Sequence, residues 1–503
     1  MTDLVKIHLQ PLGRTIEVER GSELRTVLHA FGVEFPCGGQ GRCSGCRVRR
    51  VDGSLAVSGD QGEILTPAEI AAGWRLACRS VAESDVTLQI GQWETVILAD
   101  HSTFEFVPRP GLGIAVDLGT TTLVAQLLDL KSGRVLAVRT ALNPQTIHGG
   151  DVMSRIQLAV GGRPAAMLAD EIRRGIGSLL SDLVASVTLA EPRVETVVIA
   201  GNTVMHHLFC GIDLEPLSRS PFETIHGGPQ RFSAGQLGWE LDGDPAVEFL
   251  PCLGSFVGSD ILCGVLATRM HQSNVPIVLV DLGTNGEIVV GNHEHMICTS
   301  TAAGPAFEGG RISMGMRATT GAISEVAVED GSLRSRVLGN AAPRGICGSG
   351  LVDAVAAGLD LGLIQPSGRL MNSGCPLEIA QPVTLTQNDI RELQLAKAAI
   401  AAGIRILRRR FSTEKCRDAP VYLAGAFGNY INRASARRIG LIDAPVDKIQ
   451  PAGNTALLGA KIALYASDRD DDFRHIRSRV EHVSLATDPE FQDIFVNETS
   501  FPG

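Results

Sequence analysis

Aromatic residues are scarce in this sequence. Phe, Trp and Tyr together make up 4% of its 503 residues, with only 3 Trp and 3 Tyr. Its cores must therefore be built from Ala, Val, Ile and Leu, and its 56 Gly point to many tight backbone turns. Long apolar runs are missing: none reaches the roughly 20 residues of a membrane span. Met1 to Gln10 alternates polar and apolar residues and lacks the apolar stretch of a signal peptide. The expectation is a soluble cytoplasmic protein with reduced thiols and no membrane partner. Positive charge is not in excess either. The 45 basic and 55 acidic residues leave −10, which argues against a nucleic-acid coat but says nothing of local patches. There is no G-x-x-x-x-G-K-[ST] loop, so the chain is not a P-loop protein. What is present is length beyond one ordinary domain, predicting two or three, and an apolar fraction of 44%, enough for sizeable cores.

The 11 Cys, an odd number in so large a chain, do not suggest a disulfide scaffold. Four fall in the first 78 residues, Cys37, Cys43, Cys46 and Cys78, spaced C-x5-C-x2-C with the fourth after 31 intervening residues. The other seven are scattered without a CxxC pair and read as small buried hydrophobes. Three thiolates on the loop Cys37-Gly-Gly-Gln-Gly-Arg-Cys43-Ser-Gly-Cys46 can wrap one side of a cluster, and its glycines let backbone N–H groups approach sulfide. Thiolates suit iron–sulfur clusters and zinc alike. Zinc ribbons usually use two CxxC knuckles and only one is present here. The spacing is one residue longer than in plant-type 2Fe–2S ferredoxins and resembles that of ferredoxins related to adrenodoxin. Context agrees: Val5, Ile7, Leu9 and then Ile16, Val18 alternate as a hairpin, and Ser22 could cap a helix carrying Leu24, Val27, Leu28 and Phe31. Hairpin, helix and cysteine loop are the order of a β-grasp ferredoxin. A 2Fe–2S cluster is favoured over zinc or purely structural thiols.

A second pattern is duplicated. Ile114-Ala-Val-Asp117-Leu-Gly119-Thr120-Thr121-Thr122 and Ile277-Val-Leu-Val-Asp281-Leu-Gly283-Thr284-Asn285-Gly286 share Val-Asp-Leu-Gly-Thr, 164 residues apart. Each reads as strand, turn, strand with the motif at the bend. Gly admits a phosphate close to backbone N–H groups, Thr adds a hydroxyl donor, and Asp is a hard oxygen suited to Mg²⁺ through its waters. One copy would be ordinary turn chemistry; two copies point to a nucleotide. Gly201-Asn202-Thr203 before an apolar helix, Gly345-Ile-Cys-Gly348-Ser-Gly350 opening a helix, and the strand Val421-Tyr-Leu-Ala running into Gly425-Ala-Phe-Gly428 all place N–H groups where an anion binds. Thr386, with Asp389 three residues on, could cap a long helix through Leu407 in an approximate capping box.

Duplicated DxGT loops with a late Gly-Ala-Phe-Gly turn resemble the ATPase superfamily of acetate and sugar kinases, heat-shock chaperones and actin. Joined to a ferredoxin-like N-terminus, the chain resembles the reductive activators of corrinoid-dependent methyltransferases, through Asp151-Val-Met-Ser-Arg155-Ile, Gly201-Asn-Thr-Val-Met205, Asp281-Leu-Gly-Thr-Asn-Gly-Glu287, Thr301-Ala-Ala-Gly304-Pro-Ala-Phe-Glu308-Gly and Ala486-Thr-Asp-Pro-Glu-Phe491. The resemblance implies an α/β multidomain chain: a β-grasp ferredoxin domain (1–92), a linker (93–111), and the two halves (112–275 and 276–503) of a duplicated actin-like ATPase fold. It implies one-electron transfer from a 2Fe–2S cluster to Co(II) of a corrinoid protein in a methyltransferase system, restoring Co(I), with ATP driving the step by its different affinity for two states. It also implies Mg²⁺, a low-potential donor (ferredoxin, flavodoxin or a reductase) and a homodimer. The domain that some members insert after the ferredoxin part does not fit in so short a linker. The extra C-terminal cluster cysteines of methylamine-system members are not found after Cys416.

On this reading Cys37, Cys43, Cys46 and Cys78 hold the cluster, and Asp117 and Asp281 position hydrated Mg²⁺. Gly119, Thr120, Thr121, Gly283, Thr284, Asn285, Gly304 and Gly348 serve the phosphates, and Gly425 and Gly428 border adenine. Asn202 is a phosphate contact or a helix cap. Glu287 or Glu308 orients the attacking water, the alternative for both being ordinary surface or loop hydrogen bonds. His148, His206 and His207 are not cobalt ligands, since the corrinoid belongs to the partner, and Trp74 is core rather than relay. Arg42, Arg47, Arg49 and Arg50, with no acid from Phe35 to Val51, form either a solvated edge or a docking face for an acidic redox partner. Two other classes are distinguishable: an activator of a radical dehydratase, which would bridge a 4Fe–4S cluster between subunits, and a redox-gated nucleotide-binding module without electron delivery.

Overall fold

The structure is a computed structural model that describes residues 3–10, 13–29, 31, 33, 35, 39, 41, 46–58, 61, 62, 64–90, 104–160, 165–188, 193–220, 222–224, 226–372, 374–428, 430–466 and 469–503. Cys37, Arg42 and Cys43 lie outside the described residues.

The N-terminal part is one five-stranded sheet. Alternation in β1 (Leu4–Gln10) turns Val5, Ile7 and Leu9 inward, and the hairpin to β2 (Arg14–Glu19) pairs Val5 with Val18 and Ile7 with Ile16. Helix α1 (Leu24–His29) buries Leu24 and Leu28. Ser22 does not cap it: Ser22 and Glu23 form a short strand, and the Ser22 hydroxyl donates to the Glu19 carbonyl at 2.6 Å. Strands β3 (Arg47–Gly53), β4 (Trp74–Leu76) and β5 (Val86–Ile90) complete the order β2-β1-β5-β3-β4, with β1 and β5 parallel. A parallel central pair crossed by a helix is the β-grasp arrangement. Trp74 packs against this core, under the Arg47 guanidinium at 5.1 Å.

The rest of the chain repeats one sheet design. In the first lobe β6 (Leu112–Leu118), β7 (Thr122–Asp129) and β8 (Val135–Leu142) form an antiparallel meander, and β9 (Val194–Gly201), β10 (Gln230–Ser233) and β11 (Ala246–Phe249) extend it to β8-β7-β6-β9-β11-β10. In the second, β12 (Ile277–Leu282), β13 (Gly286–Gly291) and β14 (Met296–Thr301) form the meander, and β15 (Val421–Ala424), β16 (Ile449–Gly453) and β17 (Val480–His482) give β16-β15-β12-β13-β14-β17. In both lobes the first strand pairs antiparallel with the second and parallel with the fourth, so each Asp-Leu-Gly-Thr bend sits at the same place in its sheet. The central strands of these mixed sheets are apolar on both faces and buried on both.

Helices Ser259–Ala267 and Thr455–Tyr465 lie in contact between the two sheets, and their apolar side chains merge residues of both lobes into one core. The described end of the linker is not a free tether. Phe104 and Phe106 set their rings 5.5 and 4.6 Å from Tyr465. The long helix Gln387–Phe411 starts as anticipated, but its capping box is closed in full. Thr386 accepts from the Asp389 N–H, and Asp389 accepts from the Thr386 N–H and hydroxyl at 2.8 Å each. Of the seven scattered cysteines, Cys252, Cys263, Cys298, Cys347 and Cys416 are buried. Cys210 is half-buried and Cys375 is exposed, so the small-hydrophobe reading fails at Cys375. Among the described residues no helix is long and apolar enough to cross a membrane.

Candidate nucleotide cleft and cluster half-site

The two Asp-Leu-Gly-Thr bends face each other across a cleft of about 250 Å³ between the lobes. Asp117, Gly119, Thr120, Thr121, Asp281, Gly283, Thr284, Asn285, Gly348 and Gly425 line it, all of them singled out by sequence. Gly425 has φ +84°, and a Cβ there would stand 2.6 Å from the Asp281 carboxylate, so the Val421–Ala424 strand can turn beside Asp281 only through glycine. Gly304 and Gly428, also expected at the nucleotide, are not among the lining residues. The Gly304 N–H donates to the Thr284 carbonyl at 3.0 Å, and Gly428 packs on the Leu423 backbone.

Asn202 lines the cleft with both ends of its amide committed. Its oxygen accepts from the Met205 N–H at 3.0 Å, capping the helix Thr203–Cys210, and its NH₂ donates to the Thr120 hydroxyl at 2.9 Å. The helix-cap reading therefore holds, and Asn202 also fixes the Thr120 hydroxyl. Glu308 spans the two bends: Thr284 donates to one carboxylate oxygen at 2.8 Å and Thr121 to the other at 3.5 Å. Glu287, opposite Asp281 across the β12–β13 pair, is buried and lines the same cleft. Of the two acids considered for orienting water, Glu308 is the one placed between the phosphate bends.

Two site residues escaped the sequence reading. Asn454 caps Thr455–Tyr465 by accepting from the Leu457 N–H and donates to Asp117 Oδ2, both at 2.8 Å. Its signal was available, because Gly-Asn-Thr at 201–203 recurs at 453–455. Asp260, in the first turn of Ser259–Ala267, lines the same cleft; no local motif marks it.

Four acids thus converge in the cleft, which Arg317 also lines. Burial, the largest cause in each case, raises Asp117 to about 6, Asp260 to about 7 and Asp281 to about 8, and pushes Glu287 well up; mutual repulsion adds to the last three. Buried carboxylates without a cation are costly. The donor set fits a hard divalent ion beside a polyphosphate. Among the described residues no three His, Cys, Asp or Glu side chains converge closely enough to coordinate an ion directly. Phe307 and Phe427, stacked at 4.8 Å, supply an apolar wall by Gly425 and Gly348.

On the N-terminal sheet, Cys46 is buried at the entrance to β3, and Cys78 is half-buried in the turn Ala77–Arg79 after β4. The Ala77 N–H donates to the Cys46 carbonyl at 3.0 Å, so the two cysteines meet at one end of the sheet. The described half of the thiolate set fits a cluster at the loop that carries the other two. The nearby arginines are largely occupied: Arg47 pairs with Glu69 at 3.7 Å, Arg49 donates to the Ala72 carbonyl at 3.1 Å, and Arg50 to the Gly53 carbonyl at 3.0 Å. Of these, only Arg49 is exposed, so the basic edge is narrower than the sequence suggested. The three histidines have protein partners: His148 with Glu171, His206 with the Gly228 carbonyl, and His207 with Thr203 and Thr224.

A β-grasp sheet with a cysteine-bearing end, joined to two lobes of one repeated sheet around a phosphate-type cleft, defines an iron–sulfur protein with an actin-like ATPase core. Family models match accordingly: a 2Fe–2S iron–sulfur cluster binding domain over residues 7–83, the RACo middle region over 112–273, and the C-terminal ASKHA domain of RACo over 276–503. The corrinoid activation enzyme RamQ of Eubacterium limosum is 33% identical over 443 residues, covering 81% of this chain and 74% of the relative. The [Co(II) methylated amine-specific corrinoid protein] reductase of Methanosarcina barkeri is 28% identical, covering 77% of each. A solved reductive activator for corrinoid, iron–sulfur protein superposes with a TM-score of 0.71 at 27% identity, over 99% of this chain and 98% of that one. The chain belongs to the family of corrinoid activation enzymes.

Proposed function

We propose that this protein restores Co(I) in a corrinoid protein by passing one electron to its Co(II), at the expense of Mg–ATP bound in the cleft. The observation that carries the reading is the union, in one chain, of the Cys46–Cys78 half-site with a two-lobed cleft whose buried acids call for a cation. When bound, the cluster supplies one-electron chemistry, with Cys37 and Cys43 completing its thiolate set. Gly119, Thr120, Gly283 and Thr284 cradle phosphates, with Asn202 fixing Thr120. Asp117 and Asp281 hold the waters of Mg²⁺, Asn454 orients Asp117, and Glu308 orients water against the terminal phosphate. The chain divides into a ferredoxin-like domain, 1–92, a linker, 93–111, and the two halves, 112–275 and 276–503, of one actin-like ATPase domain. A low-potential donor reloads the cluster.

The test is anaerobic mixing of the protein, a low-potential reductant, a Co(II) corrinoid protein and Mg–ATP. Co(I) absorbance should rise only with all four present. Cys43→Ser should abolish it while ATP still binds; Asp281→Ala should leave the cluster reducible and remove the ATP dependence. Full ATP-stimulated reduction by Asp281→Ala would overturn the phosphate-site assignment.

A further inference from the structure

The cysteine-bearing sheet is seated on the first lobe by α1, and the seat is the short turn Pro144–Ile147 that follows β8. His29 Nε2 and the Thr146 hydroxyl are hydrogen-bonded at 2.7 Å, and Arg25 donates to the Ile147 carbonyl. The same two side chains of α1 also face the cysteine loop. The His29 ring stacks on Phe35 at 6.4 Å, two residues before Cys37, and a Cβ on Gly39 would stand 2.7 Å from Arg25 Nε.

The other end of the seat reaches the first phosphate bend by two routes. Asn143, which caps the turn, donates through its N–H to the Thr121 carbonyl at 2.8 Å and through its NH₂ to the Gly119 carbonyl at 2.9 Å. Gln145 accepts from the fully buried Arg155 at 3.4 Å, and Arg155 donates to the Thr120 carbonyl. Every residue of the bend Gly119–Thr121 therefore has its carbonyl held by a group anchored on or beside the seat of α1. Buried guanidinium and amide donors of this kind are costly to leave unmade, so the bend and the seat must move together.

We propose that the segment Asn143–Ile147 positions the cysteine loop according to the state of the nucleotide cleft, with His29 and Thr146 as the positioning pair. The inference rests on nucleotide binding in that cleft. Coupling between two bound sites is reciprocal, so the state of the cysteine loop changes nucleotide affinity through the same contact. Co(II) reduction and nucleotide occupancy are then linked by hydrogen bonds rather than by a tether alone.

The experiment uses the full-length, cluster-loaded protein and measures amide hydrogen exchange of Leu24–His29 with and without Mg–AMP-PNP. Nucleotide affinity and the EPR signal of the reduced cluster are read on the same samples. In the wild type, the analogue should change exchange of these amides by about fivefold or more, the low end of ordinary coupling between sites. Thr146→Val should lose that response while keeping the EPR signal, and Thr146→Ser, which keeps the hydroxyl, should retain it. His29→Ala tests the contact from the other side should Thr146→Val fail to fold. An unresponsive α1 in a wild type that binds the analogue, or a full response in His29→Ala, overturns the inference alone. Failure of the wild type to bind the analogue overturns the cleft reading as well.

Discussion

At the scale of single residues the cleft is governed by carboxylates that folding has made expensive to ionise. Asp117, Asp260 and Asp281 have folded values near 6, 7 and 8 against an ordinary 3.8. A raised folded value means these groups contribute stability in full only below about pH 4, and the contribution is lost as pH climbs through 6 to 8. The nucleotide-free protein should therefore weaken toward urea over that window. Mg–ATP should restore more stability at the alkaline end than at the acid end. Asp281→Asn should flatten the upper part of the profile; identical slopes for wild type and variant would refute the assignment. Glu308→Gln should slow ATP hydrolysis by about 10²–10⁴-fold, the ordinary worth of a positioned acid or base. ATP affinity should change little, as a turnover assay beside a binding titration can show.

The same scale explains why some roles were legible and others were not. Asp117 and Asp281 announce themselves because each sits in a local, repeated pattern. Asn454 and Asp260 reach the cleft from helix starts 337 and 143 positions from Asp117; the repeated Gly-Asn-Thr hints at Asn454, but nothing local marks Asp260. Asn202 could be read as either cap or ligand from sequence. Its two amide contacts show that it caps one element while holding Thr120 of another.

At the scale of elements, patterning did most of the work. Period-two alternation in β1 and β2, and apolar runs before each Asp-Leu-Gly-Thr, became the hairpins they suggested. The helix Gln387–Phe411 was legible from its first residues. Asp389 does more there than close a box, because it also accepts from the Ser313 N–H at 2.7 Å and the Ser313 hydroxyl at 2.6 Å, tying the helix start to the loop after Glu308. Thr386→Ala should cost about 1 kcal/mol, as an ordinary cap does. Asp389→Ala should cost about 2–3 kcal/mol, because bonds to a charged acceptor and their buried donors are lost together. Urea unfolding of both variants checks the order; equal losses would mean that the Ser313 contacts add nothing. Ser22 failed as a cap because the chain before α1 pairs as a strand with Val81 and Ala82, a partner no local signal reveals.

At the scale of the whole molecule, α1 of the N-terminal part is hydrogen-bonded to the turn Pro144–Ile147, and Asn143, which caps that turn, holds the first Asp-Leu-Gly-Thr bend. A second, longer contact from Arg344 of the second lobe to the Ile90 carbonyl, at 3.5 Å, lets both lobes touch the N-terminal sheet. Association with an acidic redox partner would be steered by the exposed Arg49, since Arg47 is already balanced by Glu69. Arg49→Glu should slow Co(II) reduction more at low salt than at high salt, and equal slowing at both would count against steering. Stopped-flow rates at two ionic strengths decide this.

The sequence alone determined the chemistry on offer. Cysteine spacing, duplicated Asp-Leu-Gly-Thr bends and the absence of a Walker loop are local facts, and local chemistry follows from them directly. Only the tertiary structure decided how those parts act on one another: which acids share the cleft, which asparagine orients which aspartate, and where α1 rests. Such pairings join residues more than a hundred positions apart, and their energies come from burial and hydrogen bonds that exist only once the sheets have packed.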